Sequence, residues 1–169
     1  MTERVLYLLL SGASTSSNGP VTGLVRLLQE EGWTVTVLCT PTGTRFHDLD
    51  ELGALTGEPV RVDFRLPGTG KSMPQPDAVL ACPWSFNSTN KLAQGIADTF
   101  AVALACEMMG HGVPTVIVPK AGTPLAAHPA FERNIRDLKA ISSVSVLRSD
   151  DGRMPSWKEV AEAVGTATA

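Results

Sequence analysis

Residues 5–10, Val-Leu-Tyr-Leu-Leu-Leu, form an unbroken apolar block near the amino terminus, and no other stretch limits the fold as strongly. A strand with one wet face alternates apolar and polar side chains, whereas a run apolar at every position belongs to a central parallel strand covered on both faces. Parallel neighbours need crossover connections of a dozen or more residues, usually helical. The rest of the chain supplies them. Residues 34–39 alternate with β-branched side chains, and 78–82, 114–118 and 144–147 are further short apolar runs, separated by segments with helical spacing. This alternation predicts an α/β fold, a three-layer α/β/α sandwich on a mainly parallel sheet. With 169 residues and 43% hydrophobic content, residues 1–169 read as a single domain with a substantial core.

The helical segments follow from their punctuation. Pro20 opens an amphipathic helix to about Glu31, with Val21, Leu24, Val25, Leu27 and Leu28 as its buried stripe, and Gly32 closes it. Residues 48–56 read as a short helix ended by Gly57, and 60–64 as a short edge strand. Residues 66–76 contain Pro67, Gly68, Gly70, Pro74 and Pro76 and read as a mobile loop, with Lys71 lying over a ligand as a lid. The run Gly68 to Ser72 is not a triphosphate loop. Arg65 stands where that pattern needs glycine, and Pro74 and Pro76 bar the helix that should follow. Asp98 is placed to cap a helix to about Met109, ended by Gly110 and Gly112; it carries a single charge, Glu107, so it is either internal or part of a subunit interface. Residues 130–140 read as another helix. A terminal helix over 157–164 begins at Ser156, with Glu159 completing a capping box, and 165–169 are expected to fray.

Charge and cysteine usage exclude several classes. A net charge of −3 without clustered Lys or Arg gives no footprint for nucleic acid. Cys39, Cys82 and Cys106 are odd in number, far apart and set in apolar runs, which fits reduced thiols in a cytoplasmic protein rather than disulfides or a metal site. Residues 5–10 are too short to span a membrane and lack a signal-peptide cleavage pattern, so no membrane association is expected.

Candidate chemistry concentrates in residues 77–98. After the apolar run 78–82 the chain changes abruptly to Pro83, Trp84, Ser85, Phe86, Asn87, Ser88, Thr89 and Asn90, with no ionisable side chain among them. Ligands of open α/β sheets bind just beyond the carboxyl ends of strands, and this rim suits a planar, polar-edged ring. The same residues also read as a helix cap, with Asn87 or Ser88 satisfying free N–H groups. The first crossover, Ser11 to Gly19, places small hydroxyl residues before a helix amino terminus; it reads as a phosphate site or as an ordinary connection.

The run Pro83, Trp84, Ser85, Phe86, Asn87, Ser88, continued by Lys91, Leu92, Ala93, Gln94, Gly95, Ile96, Ala97 and Asp98, carries a resemblance. It resembles the Pro-Ala-Ser-Ala-Asn-Thr motif and the following Lys-Ile-Ala-x-Gly-Ile-Ala-Asp of the FMN-binding cysteine decarboxylase superfamily. That superfamily holds peptidyl-cysteine and phosphopantothenoylcysteine decarboxylases and, more remotely, flavin prenyltransferases. The resemblance extends over about residues 5–146. It implies a flavodoxin-like or Rossmann-like sheet, FMN as cofactor and a homo-oligomer, trimer or dodecamer. Residues 11–19 take the place of the family's Thr-Gly-Ser phosphate loop, with Ser14 and Thr15 where Gly and Ser are usual. Thr40 and Phe46 match the family's Thr-Pro-x-Ala-x-x-Phe. The resemblance therefore implies that Gly12, Ser14, Thr15 and Thr40 hold the phosphate and that Phe46 lies near the flavin. Pro83, Trp84, Ser85, Asn87 and Ser88 border the isoalloxazine, with Trp84 stacking on the ring or narrowing the pocket.

The chain also departs from that pattern. Family decarboxylases carry Pro-x-Met-Asn-x-x-Met-Trp and then Asn-Pro-x-x-x-x-Asn after the fourth strand; Pro129 and Asn134 keep register, but Gly122, Leu125 and Ala126 replace Asn, Met and Trp. No histidine occurs in residues 57–82, where the family places its catalytic one. Thr123, Pro124 and Leu125 match a Thr-Pro-Leu of the prenyltransferase branch. His47, His128 and Lys120 are the candidate replacements for the missing catalytic groups, and each also reads as a turn or loop residue facing solvent. The function implied is that of an FMN-binding flavoprotein, a flavin-dependent enzyme acting on a modified peptide or small metabolite. The alternatives are a non-catalytic FMN-binding subunit and a prenyltransferase-like protein.

Overall fold

The computed structural model describes residues 2–169. Strands β1 (Arg4–Leu10), β2 (Trp33–Cys39), β3 (Ala78–Ser85), β4 (Thr115–Lys120) and β5 (Val144–Val146) form one sheet in the order β2-β1-β3-β4-β5. Every pairing is parallel. The apolar block of β1 is central, with β2 on one side and β3 on the other, and Leu6, Leu8, Leu9 and Leu10 have no exposed surface. Helices α1 (Thr22–Glu30), α2 (Leu49–Thr56) and α7 (Trp157–Ala167) cover one face of the sheet. Helices α3 (Phe86–Gln94), α4 (Phe100–Gly110) and α6 (Pro129–Lys139) cover the other, and α5 (Thr123–Ala126) sits at the rim. The three-layer α/β/α sandwich expected from the sequence is thus the observed architecture.

Packing explains where local expectations and structure part. Residues 60–64 do not form an edge strand: a single bridge joins Arg61 to Leu38. The chain then turns away and sets Phe64 against Phe100 at the start of α4, with ring centroids 5.5 Å apart. No residue of 66–76 reaches the main cavity described below, so the lid reading is corrected. The end of that loop is pinned to the central strand β1, where the Tyr7 hydroxyl donates to Pro74 O and Val5 N, near the amino end of the strand, donates to Asp77 Oδ2. Asp98 does not cap α4. Thr99 holds that position, and Asp98 accepts two hydrogen bonds from Lys91 instead. At the carboxyl end α7 continues to Ala167 rather than fraying after 164, because Ala161 and Val164 seat its inner face in the core.

Helix α4 is not wholly internal. Ala101, Val102, Ala105 and Met108 are buried, while Phe100, Leu104, Cys106 and Met109 are only partly covered. Among the described residues no helix is long and apolar enough to cross a membrane.

Candidate functional site

The sheet order reverses between β1 and β3, and the crossovers leaving these two strands depart to opposite faces. A crevice opens at such a switch point, outside the carboxyl ends of the strands. Here it is a cavity of about 510 Å³. Gly12, Ala13 and Ser14 after β1, and Thr40, Pro41, Thr42 and Phe46 after β2, form one wall. Ser85 at the end of β3, residues 86–88 and Lys91 of α3, Thr99 and Val102 at the start of α4, Lys120 at the end of β4, and Ala121, Gly122 and Leu125 beyond it form the other.

The first wall depends on close backbone approach. A Cβ on Gly43 would lie 2.7 Å from Cys39 Sγ and 3.1 Å from the carbonyl carbon of Ser11; one on Gly12 would lie 2.7 Å from Thr42 Cγ2. Glycine is what lets the two loops pack together. Thr40 is buried, and its Oγ1 accepts from Gly43 N, holding the turn after β2. Ser11 joins this wall to the next. Its Oγ donates to Pro83 O at 2.8 Å and accepts from Ser85 N at 2.8 Å, and its carbonyl accepts from His47 Nε2 at 3.0 Å.

The second wall begins at the amino end of α3. Ser85 is the N-cap, its Oγ accepting from Ser88 N at 3.1 Å, so the cap is neither Asn87 nor Ser88 and the exposed Asn87 side chain is left to face the cavity. At the amino end of α4, Thr99 makes no side-chain cap bond, and its Oγ1 is buried with no partner. A buried hydroxyl without a partner costs about 1–3 kcal/mol.

The expected site residues divide accordingly. Gly12, Ser14, Thr40, Phe46, Ser85, Asn87, Ser88 and Lys120 line the cavity together. Trp84 does not: it has no exposed surface and belongs to the core beneath α4, so its stacking role is corrected. Pro83 is buried and contributes only its carbonyl, as the acceptor for Ser11. Thr15 is turned away, its Oγ1 donating to Gly19 O. His47 stands behind the first wall in a separate small cleft with Thr15, Asp48 and Glu51. Burial pulls its imidazole below the ordinary value, only partly offset by the bond to Ser11. His128 is the N-cap of α6, Nδ1 accepting from Ala130 N, with its ring edge-on to Phe86.

Several lining residues were not singled out from the sequence, among them Thr42, Lys91, Thr99 and Val102. Thr99 had one readable signal, a hydroxyl directly ahead of an apolar helix, but Asp98 beside it looked the better cap. Among the described residues Lys91 and Lys120 are the two charged groups on the walls. The Lys91 ammonium is held 2.7 Å from Asp98, and that hydrogen bond is the main reason the Asp98 carboxyl stays below its usual range.

Fold and cavity together define a doubly wound α/β protein with a ligand crevice at its switch point. The chain belongs to the Flavoprotein family, which matches residues 1–168. It is 27% identical over 123 residues to the coenzyme A biosynthesis bifunctional protein CoaBC of Thermococcus kodakarensis, a match that covers 70% of this chain and 30% of that protein. Its fold is similar to that of the FMN-dependent cysteine decarboxylase TvaF from thioviridamide biosynthesis (TM-score 0.77, 22% identity, 99% of each chain covered). It is also similar to peptidyl-cysteine decarboxylase EpiD (TM-score 0.76, 20% identity, 96% of this chain and 99% of that one).

Proposed function

We propose that the cavity binds FMN and that the protein is a flavin-dependent enzyme related to the cysteine decarboxylases, acting on a modified peptide or a small metabolite. One observation carries this reading. The switch-point cavity joins a glycine-dependent wall of small hydroxyl residues to a rim at the start of α3 made of Ser85, Phe86, Asn87 and Ser88, none of them ionisable. These donors fit the group: Gly12, Ser14 and Thr40 would hold its phosphate, while Phe46, Ser85, Asn87 and Ser88 would border its ring system. Bound there, FMN would supply the hydride-accepting chemistry that side chains lack. Ser11 sets the spacing of the two walls, and Val102 and Leu125 add apolar surface to the cavity.

Gly122 and Ala126 stand where the family pattern has Asn and Trp, which supports a substrate gripped differently from a C-terminal cysteine. A second reading, FMN binding without turnover, is favoured by one feature: among the described residues no histidine, aspartate or glutamate lines the cavity. Absorbance of the FMN-loaded protein, followed by anaerobic incubation with a C-terminal cysteine peptide and with other thiols, separates the two. Bleaching with CO₂ release supports the decarboxylase, bleaching without CO₂ an oxidase-like role, and a stable spectrum the binding role. A protein that takes up no FMN overturns both. The partly covered face of α4, with Phe64 and Leu66 exposed by 55% and 74%, supports a homo-oligomer, trimer or dodecamer. Three unpaired cysteines support a cytoplasmic setting.

A further inference from the structure

Lys120 is the last residue of β4, in register with Ser85 at the end of β3. It is half-buried, and it lines both the main cavity and an adjoining cleft that runs beside residues 148–155. The other cations nearby are neutralised. Lys91 lies 2.7 Å from Asp98, Arg148 lies 2.8 Å from Glu132, and Arg153 lies 2.6 Å from Asp151. Among the described residues Lys120 has no ion-pair partner, and no carboxylate lines the main cavity. The amino ends of α3 and α4 open onto the same space, so their dipoles add to the positive potential rather than oppose it.

We infer that Lys120 makes this cavity a tighter host for reduced flavin than for oxidised flavin, and so raises the reduction potential of the bound cofactor. The inference rests on the flavin reading of the cavity. When an isoalloxazine takes up two electrons and one proton, a neutral ring becomes a ring of charge −1. The phosphate keeps its charge in both states and cancels from the comparison. An ammonium without a counter-charge on the cavity wall therefore favours the reduced ring wherever it lies against that wall, because charge close to a flavin tunes its electronics. Lys91 contributes little to this difference, since Asp98 already balances it.

The test is a pair of anaerobic titrations of flavin-free protein in mildly alkaline buffer, one with FMN and one with FMN reduced by dithionite, which supplies the two electrons while water supplies the proton. The wild type is expected to bind the reduced form at least tenfold more tightly, a displacement of about 30 mV in a two-electron potential. Lys120→Met keeps the aliphatic stem and is expected to lose that preference; Lys120→Arg keeps the charge and is expected to retain it. Circular dichroism shows whether each variant is folded, and Lys120→Gln replaces the methionine variant if it is not. An equal preference in wild type and the neutral variant overturns the role of Lys120 while leaving FMN binding standing. Failure of the wild type to bind either form overturns the flavin reading and this inference together.

Discussion

A side chain at the end of a parallel strand faces either the crevice or the helical layer beside it, and one residue of register decides which. In β3 the pairing with β4 shifts between Ala81 and Trp84. Val79 and Ala81 face α4 while Leu80 and Cys82 face α1 and α7, so strict alternation would send residue 84 to the second face; the shift turns Trp84 under α4 instead. Trp84→Ala should therefore cost about 3–5 kcal/mol of stability, read from urea unfolding, and leave the FMN affinity of the folded fraction near that of the wild type. A large loss of affinity with little loss of stability would return the indole to the pocket. Gly43→Ala presses a methyl group onto Cys39 Sγ and the Ser11 backbone and should cost about 1–3 kcal/mol, together with weaker FMN binding as the first wall is displaced. His47 carries a pH dependence. Its imidazole lies below the ordinary value of 6.5 in the folded chain, so the unfolded chain binds the extra proton more readily. Its share of stability is whole above about pH 6.5 and is lost as the pH falls toward the depressed folded value. Thermal unfolding across that range should show the slope, and His47→Phe should flatten it. Asp48 and Glu51 share its cleft, so Asp48→Asn serves as the control for a carboxylate origin.

Helices announced themselves through caps and stripes, and were misplaced where two capping residues competed. Asp48, Ser85 and Ser156 each accept from the backbone N–H three residues on, and Ser156 with Glu159 forms the full reciprocal box read from the sequence. Ser156→Ala should lower stability by about 1 kcal/mol and fray the start of α7 without altering FMN affinity, since α7 lies on the sheet face away from the rim of α3. Asn134, one of the positions that keeps the family spacing, serves packing. It is buried in α6, its Oδ1 accepting from Gln94 and its Nδ2 donating to Asn90, both at 2.7 Å, so it fastens α6 to the helix that carries the rim. Asn134→Leu should therefore weaken FMN binding through α3 and lower the unfolding midpoint together; a variant with unchanged stability and lost binding would place the amide in the site.

At the scale of the molecule, the outer surface of α4 is only partly covered, and Phe64, packed on Phe100, and Leu66 are exposed, which is the kind of apolar surface a subunit contact would cover. Sedimentation should give a species several times the 17.9 kDa chain mass, and Leu104→Glu should shift it toward the monomer. The sequence alone determined the layers, the central place of β1 and the crevice after β1 and β3, because apolar periodicity and the rule for parallel crossovers act locally and leave few topologies. The hydroxyl and amide character of the rim was readable for the same reason. Only the tertiary structure decided which rim residues face the cavity, that residues 66–76 stay clear of it, and that Lys120 forms no ion pair among the described residues. Those outcomes turn on a register shift, a choice of cap and the meeting of side chains distant along the chain, and none of these leaves a periodic trace in the sequence.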